Sequence, residues 1–215
     1  MFLQKPDALA ARLADVRALV FDWDGVFNAG EKALGMTSGF TEADSMGVNM
    51  LRYGLWRRDG CLPAVAIITG EPNDSAEFFA QREHFHALYQ RVKDKRSALA
   101  DFCARHELET RQVACVFDDI NDIPMAVGCG LRILVRRDAS ELLREYLCRS
   151  ATCDYVTASR SGDFAVREAT ELMLGLSCLF DEVVESRVEF DAQYQAYFAA
   201  RQAVELDVIS ATEPN

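Results

Sequence analysis

A chain of 215 residues, half of them apolar and 27% charged, is long enough for one full hydrophobic core and has ordinary globular composition. Its 34 acidic and 23 basic residues leave a formal charge of −11, which argues against nucleic acid as the main partner; a divalent cation could still reverse the field locally for an anionic substrate. Residues 1–15 include Asp7 and Asp15 and no long apolar run, so no signal peptide is visible, and no stretch approaches the roughly 18 continuous apolar residues of a membrane-spanning helix.

In chain order, the first strong signal is Leu19-Val20-Phe21, which reads as a buried parallel strand over 18–22 and runs into Asp22-Trp23-Asp24-Gly25. Two carboxylates at the carboxyl end of such a strand lie where open α/β sheets bind ligands. Buried without partners they would be costly, so they point to a metal ion or a reacting phosphate. An ordinary Asp-Gly turn fits the same residues. The next helix spans 46–55, with Val48, Leu51 and Leu55 on one face. The gap before it leaves room for a β-hairpin over 26–42 but not for a lid domain.

A strand over 64–69 ends in Thr69-Gly70, and helix 74–82 and a short strand 87–89 follow. Lys95 opens a helix over 95–106; Lys93 competes with it for any role that needs a cation. A strand over 113–117 runs into Asp118-Asp119 with Asp122 close behind, and further strands are expected at 131–135 and 154–156 before a helix at 163–176. From about 181, Val183, Val184, Tyr194, Tyr197 and Phe198 recur at helical spacing, predicting an amphipathic helix that packs on the core or on a neighbouring subunit. The expected organisation is an α/β domain over 1–178, a helical extension over 179–210 and a disordered tail over 211–215.

Seven cysteines at irregular spacing, with no CxxC, suggest buried thiols in a reducing, cytoplasmic compartment rather than a zinc site. His84, His86 and His106 show no ligand spacing to one another. Alternating strands and helices imply a doubly wound parallel sheet with helices on both faces. In such a sheet the strand ends emerge on one edge, so Asp22, Asp24, Thr69, Asp118 and Lys95 converge. Hard oxygen ligands with a lysine suit Mg²⁺ and phosphate.

The ordered set Asp22-x-Asp24-Gly25, Ile68-Thr69-Gly70, Lys95, Asp118-Asp119-x-x-Asp122 resembles the haloacid dehalogenase superfamily of phosphatases. It is closest to the capless branch that contains the 3-deoxy-manno-octulosonate 8-phosphate phosphatases and related sugar-acid phosphatases. Ala87-Leu88-Tyr89-Gln90, Ile123-Pro124-Met125-Ala126, Asp154-Tyr155-Val156-Thr157 and Ala165-Val166-Arg167-Glu168 extend the resemblance over roughly 17–176. It implies a Rossmann-like fold and a Mg²⁺-dependent phosphomonoester hydrolase for a small phosphorylated metabolite, a sugar or sugar acid. Asp22 would be the nucleophile and Asp24 the general acid and base. Thr69, Gly70 and Lys95 would hold the phosphoryl group. Asp22, Asp118 and the backbone carbonyl of Asp24 would bind Mg²⁺, with Asp119 and Asp122 supporting them. It also implies a homotetramer whose hairpins close neighbouring sites.

Phe117 stands where the family carries glycine, and would crowd the metal site. Glu71 stands where the sugar-acid phosphatases carry arginine, which disfavours a carboxylated substrate. Ser161-Gly162-Asp163-Phe164 replaces a glycine-richer loop, and Asp44-Ser45-Met46-Gly47 an Asp-Gly-x-Gly turn. Two other readings share these residues: a non-catalytic binding or scaffold protein, and a receiver-type phosphoacceptor domain. The receiver order, with the phosphorylated Asp ahead of Thr and Lys, does not match the paired Asp, Thr, Lys, Asp order here.

Overall fold

The computed structural model describes residues 1–36, 38–139 and 141–210. The tail expected to be disordered, 211–215, lies outside the described residues.

Helix α1 (Pro6–Ala14) begins on a proline, whose missing N–H costs nothing at a helix start, and leads into strand β1 (Ala18–Phe21). Helix α2 (Glu42–Asp59) is longer than its apolar face suggested. Thr41 Oγ1 accepts from the Asp44 N–H at its start, and Gly60 closes it in the left-handed conformation. The Asp44-Ser45-Met46-Gly47 segment is therefore its first turns, with the Asp44 carboxylate accepting the Arg167 N–H at 2.8 Å. Then follow β2 (Ala64–Ile68), α3 (Asp74–Arg82), β3 (Ala87–Gln90), α4 (Lys95–Arg105), β4 (Val113–Phe117), α5 (Ile123–Ala126), β5 (Leu131–Arg136), α6 (Glu141–Arg149), β6 (Tyr155–Arg160) and α7 (Ala165–Leu176). Beyond them lie α8 (Phe180–Glu189), α9 (Ala192–Gln202) and β7 (Asp207–Ser210).

The seven strands form one parallel sheet in the order β6-β5-β4-β1-β2-β3-β7, the doubly wound α/β architecture expected from the alternation of elements. Along β1, Leu19 and Phe21 face one core and Ala18 and Val20 the other, the period of two that a doubly covered strand requires. The first core is closed by α1, α2, α3, α7, α8 and α9, the second by α4, α5 and α6. Chain order reverses at β1, which pairs with both β2 and β4. Ligands bind at such a switch point. Phe21 pairs with Ile67 on one side and Val116 on the other, so the residues after all three strands leave the sheet at one level.

Two local expectations are corrected. The described residues of 26–42 contain no strand, where a hairpin is expected from the sequence. Gly30, Gly35 and Gly39 interrupt the segment, and an isolated two-stranded hairpin is marginal in water. It is held instead by Phe27 stacked on Trp23 and by Asn28 Nδ2, which donates to the Trp23 and Gly39 carbonyls. The C-terminal extension is two helices and a strand rather than one helix. Phe190, left-handed at φ 49°, ends α8, and Asp191 caps α9 through the Tyr194 N–H. Strand β7 pairs in parallel with β3 and covers its free edge. Its four mostly exposed residues carry no burial alternation to reveal it.

Candidate active site

Asp22 follows β1 with its backbone still on the sheet, its N–H donating to the Val116 carbonyl at 3.0 Å. Its carboxylate is buried and accepts from Lys95 Nζ at 2.5 Å. Lys95 is the first residue of α4, whose N-cap is Asp94, and the same ammonium reaches Asp122 Oδ1 at 2.5 Å. The two lysines differ in position: Lys95 is buried between two carboxylates and Lys93 is exposed on the rim. Burial works against the Lys95 charge, but Asp22 and Asp122 outweigh it and hold the ammonium above the ordinary lysine range.

Asp118 and Asp119 leave β4, and a tight turn over Ile120–Asp122 returns Asp122 beneath them. Asp122 Oδ2 accepts the backbone N–H groups of Asp118 and Asp119 at 3.2 and 3.1 Å. Asp22, Asp118 and Asp122, all buried, each offer an oxygen within 4.8 Å of the others. Burial first, and the negative charge of Asp122 second, raise Asp22 to about 6; burial and the charges of Asp22 and Asp122 push Asp118 up to about 9. Gly25, at φ +92°, makes room for this packing: a Cβ there would stand 2.1 Å from Asp118 Oδ2.

Asp24 points elsewhere. Its carboxylate lies outside the triad and is half-exposed, accepting from Ser38 Oγ at 2.5 Å and from Lys32. Trp23 Nε1 and Asn73 Nδ2 both donate into Ser38 Oγ, at 3.1 and 2.6 Å, so the Ser38 hydroxyl proton is left to face Asp24. Thr69 is buried at the end of β2, its N–H donating to the Tyr89 carbonyl and its carbonyl accepting from Val92. With Gly70 it lines a cavity of about 320 Å³ shared with Asp22, Asp24, Lys95 and Asp118.

Several residues of this cavity carried no mark in the sequence reading. Arg137 donates to Asp118 Oδ2 at 2.7 Å and Asp119 Oδ2 at 3.0 Å. It directly follows β5, so the rule applied to the other strand ends could have found it. Lys32, and Ser38 behind the Asp24 carboxylate, come from a segment without periodicity and gave no signal; Asn121 sits in the turn after β4. Phe117 does not crowd the site: its ring is buried in the second core, because successive strand residues face opposite ways. Glu71 does line the cavity, facing it together with Lys32, Lys93 and Arg137. The histidines stay away, with His86 Nδ1 accepting the Val65 N–H. Cysteines 103, 115, 129 and 153 are buried and all seven are free.

A doubly wound sheet with this carboxylate and lysine cluster at its switch point is the arrangement of a haloacid dehalogenase-type phosphatase. No family model matches the chain. It is 32% identical over 176 residues to the 3-deoxy-D-manno-octulosonate 8-phosphate phosphatase of Yersinia pestis, covering 78% of this chain and 84% of that one. The enzyme of the same name from Escherichia coli K12 is 30% identical, over 80% of this chain and 86% of its own. Among solved structures, the Yersinia pestis phosphatase superposes with a TM-score of 0.68 at 30% identity, covering 81% of this chain and 89% of that one. The Moraxella catarrhalis enzyme, solved with magnesium ion, phosphate ion and KDO, gives 0.70 at 24% identity, with 84% and 97% covered. The chain belongs to the 3-deoxy-D-manno-octulosonate 8-phosphate phosphatase family, and is a phosphatase of the haloacid dehalogenase type.

Proposed function

We propose that the protein hydrolyses the phosphate monoester of a small sugar acid, with Asp22 as nucleophile. The observation that carries this reading is the convergence of Asp22, Asp118 and Asp122 at the switch point, with the buried Lys95 shared by Asp22 and Asp122. An Asp22 oxygen attacks phosphorus while the bond to the ester oxygen breaks. Asp24, as the carboxylic acid, gives its proton to the departing alkoxide. Asp24 then takes a proton from water as that water attacks phosphorus, the bond to Asp22 breaks, and inorganic phosphate leaves. Ser38 and Lys32 hold the Asp24 carboxylate in place. Thr69, the Gly70 N–H and Lys95 face the phosphoryl oxygens.

The residues fit a magnesium ion. Three buried carboxylates face two cations, Lys95 and the half-exposed Arg137, and the proton that Asp118 retains up to about 9 marks the missing positive charge. Asp22, Asp118 and the Asp24 carbonyl would hold it, with Asp119 and Asp122 in support. Bound there, it lets an anionic nucleophile approach an anionic phosphate. Lys32, Lys93 and Arg137, which face Glu71 across the cavity, support an anionic sugar despite the missing family arginine.

The α/β domain over 1–178 carries the chemistry, with 179–210 as its extension. Exposed Leu34 and Met36 in the 26–42 segment support a homotetramer in which neighbouring subunits meet there. The free cysteines support a cytoplasmic location; among the described residues no helix is long and apolar enough to cross a membrane.

The test is phosphate release with Mg²⁺ from p-nitrophenyl phosphate and from a panel of sugar and sugar-acid phosphates, against an Asp22→Asn control. Carboxylated sugar phosphates should be turned over fastest. Release no faster than the control, with every substrate, would sink the proposal.

A further inference from the structure

A second cavity, of about 250 Å³, shares no lining residue with the first and opens where α2 and the end of α3 meet the C-terminal helices α8 and α9. Three arginines line it, Arg82, Arg187 and Arg201, with two glutamates, Glu42 and Glu83. This is a cationic spot in a chain of formal charge −11. The glutamates are already engaged. Glu42 pairs with Arg82 at 2.6 Å, and Glu83 accepts from Arg201 Nη1 at 2.9 Å and from Ser45 Oγ at 2.8 Å.

The other two arginines keep unused donors. Arg201 is only 7% exposed and donates through Nη1 alone, to Glu83 and to Asn49 Oδ1, while its buried Nε has no acceptor. Arg187 has neither a carboxylate partner nor a hydrogen bond among the described residues, and its Nε is likewise buried and unpaired. It is held by its face, with Cζ 5.0 Å from the Tyr194 ring centroid and 6.0 Å from that of Phe190. Stacking occupies the face of a guanidinium and leaves its in-plane fork of N–H groups free, the geometry that receives a carboxylate or a phosphate. Packing alone accounts for the stacked ring. It does not account for two buried guanidinium donors left unpaired on the walls of one cavity, since such groups are costly to bury.

We propose that this cavity is a second anion site, separate from the catalytic one, which takes the carboxylate or phosphate group of a small metabolite on Arg187 and Arg201. Because Arg187 comes from α8, Arg201 from α9 and Glu83 from the end of α3, a bound anion ties the extension to the catalytic domain.

Calorimetric titration of the full chain tests this, with inorganic phosphate and malonate as separate probes, in EDTA so that the magnesium-dependent site is silent. One saturable anion site is expected in the wild type, in Thr69→Val and in the exposed control Arg149→Gln. Its affinity should fall about tenfold or more in Arg187→Gln. Arg187→Lys, which keeps the charge but loses the flat fork, should also bind more weakly, and it serves if the glutamine variant does not fold. Response to phosphate alone or malonate alone identifies the group recognised. Binding that survives in both Arg187 variants overturns the proposal. So does binding that Thr69→Val abolishes, or no saturable heat from either anion up to about 50 mM.

Discussion

Replacing Gly25 with alanine separates two costs that usually come together. At φ +92° the new side chain meets the left-handed penalty of an L-residue, about 1–2 kcal/mol. It also drives a Cβ to 2.1 Å from Asp118 Oδ2, where ordinary contact begins near 3.4 Å, so the carboxylate has to retreat by about 1.3 Å. Gly60→Ala isolates the first cost, because Gly60 sits at φ +73° in the cap of α2 with nothing within 4 Å of the added Cβ. Gly60→Ala should lose about 1–2 kcal/mol of stability and keep full turnover. Gly25→Ala should lose about 2–3 kcal/mol, at about 2–4 °C of melting temperature per kcal/mol for a chain of this length. Its turnover should drop on the order of 10²-fold, the cost of moving a catalytic-site ligand by about 1 Å. Urea unfolding and p-nitrophenyl phosphate hydrolysis at saturating Mg²⁺ measure both. If Gly25→Ala works within about twofold of Gly60→Ala, the position of Asp118 does not control the reaction.

Lys95→Met strands Asp22 and Asp122 without their shared cation and should cost about 3–5 kcal/mol by urea unfolding, together with all activity; a loss under about 1 kcal/mol would contradict the buried pairing. Asp22, at about 6, and Asp118, at about 9, both lie above the unfolded carboxyl value of about 4, so the native metal-free state binds extra protons. Their contribution is full below about pH 4 and is lost as pH rises through 6 and then 9. The stabilisation given by added Mg²⁺ over EDTA, read from melting temperatures, should therefore widen from pH 5 to pH 9, and a gap independent of pH would refute the assignment. Tyr197→Ala, which removes a buried ring 5.1 Å from Tyr53 and a hydroxyl donating to Asn49 Oδ1 at 2.8 Å, should cost about 3–5 kcal/mol by urea unfolding. Turnover of the folded protein should be unchanged; a cost below about 1 kcal/mol would show that the extension does not share the core's stability.

The strands that build the site were legible because each is a short apolar run ending abruptly in a polar group. Asp22, Thr69 and Asp118 need only that local contrast and a parallel sheet to be brought to one edge. The same logic stopped one strand early, at β5, and so passed over Arg137. Phe117 was misjudged for a related reason. Its distance from Asp118 along the chain is one residue, but the pleat sends the two side chains into opposite layers.

What the amino-acid sequence determined by itself was the place of each core strand, the order of the acids at the strand ends and the alternation of strands with helices, all properties of neighbouring residues. Only the tertiary structure decided that Lys95 and not Lys93 pairs with Asp22, 73 residues away, and that Ser38 turns its proton toward Asp24. It also decided that residues 207–210 become a strand by borrowing the free edge of β3. These depend on which charges and edges meet in space. The energy of a buried carboxylate or an open strand edge is set by partners that no local window of sequence contains.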